Sequence, residues 1–162
     1  MAERSRKNDS DNHKPPAGKS RHVVARIDDV APGERMRVTI GRRTIALFNL
    51  DGEFFALGDI CPHEFGSLCK GKLSGLARSN APGEYAIERP GEFIKCPWHG
   101  WEFDIRTGQS YCDPETMRAR SFPASVAKGA DIVEYESGPV KGPYVADTYP
   151  VHIADDYVVI EV

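Results

Sequence analysis

The sequence predicts an all-β fold of small antiparallel sheets, and three observations carry that reading. Short apolar runs recur between Gly, Pro, Asp and Asn punctuation. Two of those runs are separated by Asp51-Gly52, a strong hairpin signal because both positions of a two-residue turn favour positive φ. Amphipathic stretches of helical length are missing. ASVAKGADIVEYE (residues 124–136) is the one candidate, and a glycine breaks it.

The elements follow in order. HVVARI (22–27) and MRVTI (36–40) open the domain as early strands, and TIALFNL (44–50) and EFFALGDI (53–60) flank the Asp51-Gly52 turn. EYAIE (84–88) and EFIK (92–95) flank Arg89-Pro90-Gly91 and read as a second hairpin. EFDI (102–105) then meets Arg106-Thr107-Gly108 and the short run GQSY. YPVHI (149–153), a turn at 154–156 and YVVIEV (157–162) read as a closing hairpin. Within 124–136, Val133 and Tyr135 alternate equally well in a strand.

The totals narrow the function classes. A chain of 162 residues holds one ordinary domain, or one domain with a tail. Residues 1–22 carry six Lys/Arg against three Asp/Glu and no bulky apolar residue beyond Met1, so they read as a disordered basic tail. The folded part, 23–162, is left with a net charge of −6, which points to neither nucleic acid nor an anionic membrane as partner. No stretch approaches the roughly 20 apolar residues that span a bilayer. The N-terminus lacks the apolar core of a secretory signal, so a cytoplasmic protein is expected.

Four cysteines are present: Cys61, Cys69, Cys96 and Cys112. In a reducing compartment they serve metals or catalysis more often than disulfides. Two of them stand in paired motifs, Cys61-x-His63 and Cys96-x-x-His99, separated by 32 residues. Each half supplies one thiolate and one imidazole from a loop carried outward by a strand, EFFALGDI into Cys61 and EFIK into Cys96. Proline follows each cysteine and stiffens its loop. A tetrahedral zinc ion accepts Cys₂His₂, but zinc modules usually pair cysteine with cysteine and histidine with histidine. The alternation seen here suits a two-iron cluster better, with Cys61 and Cys96 on one iron and His63 and His99 on the other. The only two tryptophans, Trp98 and Trp101, bracket His99, where they would shield such a centre and face a docking surface. Trp101 equally suits a place in the core.

These residues resemble the Rieske family, whose C-x-H…C-x-x-H pattern they match at all four positions. Gly66 and Leu68 in CPHEFGSL resemble the family's C-P-H-x-G-x-x-L loop, with one extra residue before the glycine. CPWHGWEFD (96–104) is similar to the C-P-x-H-G-W-x-F-D loop of the soluble, oxygenase-associated members. The resemblance covers roughly residues 23–162 and is strongest over 56–114. It implies a Rieske-like fold with a cluster-binding subdomain of two hairpin loops, one [2Fe-2S] cluster, and Cys61, His63, Cys96 and His99 as its ligands.

It also implies which kind of Rieske protein to expect. Quinol-oxidising members carry a serine after His-Gly and a tyrosine two residues later, and bridge their loops with a disulfide. Here those hydroxyl positions are Trp101 and Phe103, and the bridging cysteines are absent. Two neutral imidazoles in place of two thiolates still raise the potential above that of an all-cysteine ferredoxin. The expected midpoint is therefore at the low end of the Rieske range, nearer about −150 than +300 mV. Cys69 and Cys112 read as free buried thiols. Outside the cluster pair only His13, His22 and His152 remain, too few and too scattered for a two-histidine, one-carboxylate iron site, so no independent catalysis is expected.

The resulting expectation is a one-electron carrier between a flavoprotein reductase and a terminal oxygenase. A small Rieske-like subunit of a larger oxidoreductase such as nitrite reductase, or a zinc-stapled interaction module, stand as alternatives. The spacing between the motifs exceeds that of compact Rieske ferredoxins. The excess is placed at 73–92 as an elaborated loop plus hairpin, and 122–148 reads as a second addition; such insertions often serve recognition. Pro114, with Pro123 behind it, is the candidate for a further loop closing over the cluster.

Overall fold

In the computed structural model, residues 20–135 and 155–162 are described. Among the described residues, besides two single 3-10 turns, the regular structure is ten strands and one short α-helix: β1 (Arg21–Arg26), β2 (Arg35–Ile40), β3 (Arg43–Leu50), β4 (Glu53–Gly58), β5 (Lys72–Ala81), β6 (Glu84–Lys95), β7 (Glu102–Asp104), β8 (Ser121–Phe122), β9 (Ala124–Lys128), α1 (Gly129–Tyr135) and β10 (Asp156–Glu161). They form three antiparallel sheets, ordered β1-β10-β9, β2-β3-β4-β8 and β5-β6-β7. None of the described helices is long and apolar enough to cross a membrane.

The middle sheet is buried on both faces, which explains why TIALF runs apolar without alternation. Period-2 geometry sends Ile45 and Leu47 of β3, with Phe54 and Ala56 of β4, toward Ala25, Val158 and Ile160 of the first sheet. Ala46, Phe48 and Leu50, with Leu57, point the other way, against Ile94, Phe103, Cys61 and Cys96. One strand pair thus supplies both cores. The second core is the floor of the Cys/His loops.

Several sequence expectations need correction. Arg89-Pro90-Gly91 is not a hairpin turn: β6 runs continuously through it and pairs with β5, and the chain reverses near Gly83 (φ 84°). Between the Ser74–Phe93 and Leu76–Glu88 pairs, β6 places residues 89–92 opposite the single Gly75, a large bulge. Arg89 (φ 50°) and Gly91 (φ 83°) take the positive angles that mimic a turn signal. Segment 73–92 is therefore most of a long two-stranded ribbon rather than a loop followed by a hairpin. Segment 124–136 divides at Gly129 into β9 and α1.

β10 is paired on both edges, by β1 and by β9. Residues 149–153, its expected hairpin partner, lie outside the described residues, as do residues 1–19 of the expected tail and 136–148 of the second addition. The tail reading overshoots at its inner end. Ser20 exchanges backbone hydrogen bonds with Val162 (3.2 and 3.0 Å), and β1 begins at Arg21.

Candidate metal centre

The two Cys/His loops share one backbone design. In the first, the Cys61 N–H donates to the Gly66 carbonyl and the Phe65 N–H donates to the Cys61 carbonyl, both at 2.9 Å. In the second, the Cys96 N–H donates to the Trp101 carbonyl (2.8 Å) and the Gly100 N–H donates to the Cys96 carbonyl (2.9 Å). The fifth position of each turn is left-handed, Phe65 at φ 63° and Gly100 at φ 71°. The first loop leaves β4 and is closed by an Ile60–Ser67 bridge; the second joins β6 to β7.

Two glycines let the loops meet. A Cβ on Gly66 would stand 2.8 Å from the Cys96 Sγ and 3.2 Å from the Trp98 ring. A Cβ on Gly71 would stand 2.0 Å from the Lys95 carbonyl oxygen. At Gly71 only glycine permits the approach, and at Gly66 any side chain would displace the Cys96 sulfur. Cys61 and Cys96 are consequently buried together. Burial above all pushes the Cys61 thiol up; the His63 N–H opposes this, and the adjacent Cys96 thiol adds to it.

The imidazoles pair as the thiols do. The His63 and His99 rings lie 5.1 Å apart and nearly perpendicular. Trp101 covers His63 at 5.1 Å while its other side packs on the second core, so it serves both as shield and as core residue. Trp98 is 61 % exposed and Phe65 is 73 % exposed, which puts two large apolar rings at the loop tips. Glu64 brings a carboxylate oxygen within 3.6 Å of His99 Nε2, a nitrogen on a side chain that is 47 % exposed.

The donor set fits a binuclear cluster. His63 Nδ1 is buried with no hydrogen-bond partner. Such an orphan costs about 1–3 kcal/mol unless something binds it, and a metal ion would. Among the described residues, no three His, Cys, Asp or Glu side chains converge as they would around a single ion. Two pairs, thiols buried and imidazoles outward, match two irons better than one zinc.

The Rieske [2Fe-2S] domain model matches residues 20–123. The chain belongs to that family. Among curated relatives of this Rieske protein, the p-cumate 2,3-dioxygenase system ferredoxin component of Pseudomonas putida is 37 % identical over 115 residues, 70 % of this chain and 84 % of that one. The 3-phenylpropionate/cinnamic acid dioxygenase ferredoxin subunit of Escherichia coli strain K12 is 33 % identical over 106 residues, 65 % of this chain and 84 % of that one. Of solved structures, the Sphingomonas yanoikuyae B1 ferredoxin superposes with a TM-score of 0.52 at 26 % identity, covering 68 % of this chain and 93 % of its own. A putative NADH-dependent nitrite reductase small subunit from Mycobacterium tuberculosis gives 0.55 at 16 % identity, covering 89 % and 96 %, a likeness of fold alone. The cofactor of this Rieske ferredoxin is one [2Fe-2S] cluster, and its work is one-electron transfer.

Other expected site residues fall differently. Cys112 is exposed and Cys69 half-buried, which corrects the reading of two buried thiols; both are free. Burial first, then the nearby Asp59 charge, holds the Cys69 thiol up. The Pro123 carbonyl accepts from Glu161 N–H of β10, so Pro123 belongs to the first sheet. Pro114 is held through its carbonyl by Gln109 Nε2 (2.9 Å). Sequence reasoning missed Glu64, Gly71 and Asp59. Asp59, two residues before Cys61, is fully buried and ties down the first loop.

Proposed function

We propose that Cys61 and Cys96 hold one iron of the cluster, that His63 and His99 hold the other, and that this protein carries single electrons to a terminal oxygenase. The observation that carries the reading is the asymmetry of the site. Both cysteines are buried against the second core, while His99, like Trp98 and Phe65 of the same two loops, is exposed. When bound, the cluster accepts and releases one electron.

The protein's residues do the remaining work. Trp101 and the Phe48–Ile94–Phe103 floor keep water from the cysteine side. The Glu64 carboxylate stands 3.6 Å from His99 Nε2 and places negative charge beside the outer edge of the ring. Trp98 and Phe65 offer a partner an apolar contact beside the histidine edge, so that docking and the shortest electron path coincide. A flavoprotein reductase would load the carrier through the same face, and the dioxygenase ferredoxins among the relatives support an oxygenase as acceptor. The presence of all four ligand residues favours a carrier over the nitrite reductase subunit reading.

The test is rapid mixing of the dithionite-reduced protein with terminal oxygenases of aromatic-ring dioxygenase systems, following the visible spectrum. Reoxidation is expected, slowed at least tenfold in Trp98→Ala with the cluster spectrum unchanged. A protein that none of them reoxidises, and that purifies instead on a large catalytic chain, belongs to the subunit class.

A further inference from the structure

Asp59 directly follows β4, two residues before Cys61, and its carboxylate is fully buried. Both oxygens accept from the Ser67 hydroxyl (3.0 and 2.9 Å), and Oδ1 also accepts from the Cys69 N–H (2.8 Å). The Asp59 carbonyl accepts from the Leu68 N–H at 2.7 Å, and its own N–H donates to Thr44 O. One residue thus holds the exit of the first loop, at 67–69, against the strand that enters it. From β2, Arg37 Nε reaches Oδ2 at 3.1 Å. Two residues earlier on the same face of β2, Arg35 donates to the carbonyls of Cys69 (2.7 Å) and Gly71 (2.6 Å).

We propose that Asp59 and Arg37 form a charged brace that positions the first loop and sets the midpoint potential of the centre. A carboxylate with no water around it exerts its field across the core at low dielectric. The Arg37 side chain, 48 % exposed, is screened by solvent and offsets only part of that field. The Asp59 charge disfavours adding an electron, and Arg37, with Arg35 beside it on the loop exit, opposes it. The same opposition is visible at Cys69, whose thiol burial and then Asp59 push up while Arg35 first and Arg37 second pull it down. The inference rests on ligation of the cluster by Cys61 and its three partners.

The experiment is a mediated redox titration of purified holoprotein carrying Asp59→Asn, Arg37→Gln, the double change, or Ser67→Ala. Iron content, low-temperature EPR and the rate of iron loss to a chelator are read beside it. Asp59→Asn is expected to raise the midpoint, Arg37→Gln to lower it by a smaller amount, and the double change to fall between them. Ser67→Ala removes a hydrogen bond but no charge, so it is expected to speed iron loss several-fold with the midpoint unmoved. Midpoints that stay at the wild-type value, or that shift in the same direction in both charge variants, overturn the proposal. So does a Ser67→Ala shift as large as that of Asp59→Asn. If Asp59→Asn fails to load, Arg37→Gln and Ser67→Ala still decide. A wild-type protein without a Rieske EPR signal would remove the ligand assignment itself; a signal with unshifted variants removes only the brace.

Discussion

Phe65 and Gly100 occupy equivalent places in the two loops. Each stands four residues after a ligand-motif cysteine, donates its N–H to that cysteine's carbonyl at 2.9 Å, and takes a left-handed φ, 63° and 71°. Glycine does this without strain. Phenylalanine does not, at a cost of about 1–2 kcal/mol.

Phe65→Gly should therefore leave folding stability unchanged or raise it by up to about 1 kcal/mol, since relief of strain exceeds the entropy glycine adds to the unfolded chain. Phe65→Val should lose about 1 kcal/mol or more, because β-branching makes the left-handed region worse. Thermal unfolding followed by the visible CD of the cluster would check both. A less stable glycine variant would show that the ring's packing outweighs the backbone strain.

Gly66 and Gly71 should respond differently to alanine. At Gly71 the new methyl meets a backbone carbonyl of β6 at 2.0 Å, which cannot move without breaking the β5–β6 ladder. Gly71→Ala should cost about 3 kcal/mol or more. At Gly66 the obstacle is the Cys96 sulfur at 2.8 Å, so Gly66→Ala should fold yet load less iron. Iron-to-protein ratios beside urea unfolding would separate the two outcomes.

Acid sensitivity should trace in part to Glu92. Hydrogen bonds from Arg106 first and Arg89 second hold its carboxyl below the ordinary value. A depressed folded pKa contributes stability that is present above the unfolded value, about 4.3, and is lost as pH falls through the lower folded one. Glu92→Gln should cost about 1 kcal/mol at neutral pH, discounted because the pair is partly solvated. Its deficit against wild type should close as pH falls below about 4. A deficit that persists there would make the loss one of packing.

The outer part of the β5–β6 ribbon should be dispensable for the cluster. Its residues 77–88 are exposed, and Leu76 and Glu88 face one another across the ladder, so a two-residue turn can join them. Replacing 77–87 with Asn-Gly should leave the visible spectrum and midpoint unchanged while weakening reduction of the native partner. Loss of the cluster would make the ribbon structural.

What the sequence determined by itself was the chemistry and the class of fold. The alternating Cys/His spacing, Cys-Pro in both loops and tryptophans around His99 are local patterns, and local patterns survive in one dimension. Strands from 36 to 60 were legible because Asp51-Gly52 and apolar runs are short-range signals. Tertiary structure alone decided what depends on neighbours distant in the chain. The turn-like Arg89-Pro90-Gly91 became a bulge because β5 was available to pair on both sides of it, and because Arg89 grips Asp104 with two hydrogen bonds at 2.8 and 3.1 Å. The neighbours of β10 in its sheet, β1 and β9, are likewise a matter of tertiary pairing. Asp59 looked like any residue at a strand end. Its role appeared only when β2 brought Arg37 across, for a buried carboxylate is tolerable only where folding assembles its partners around it.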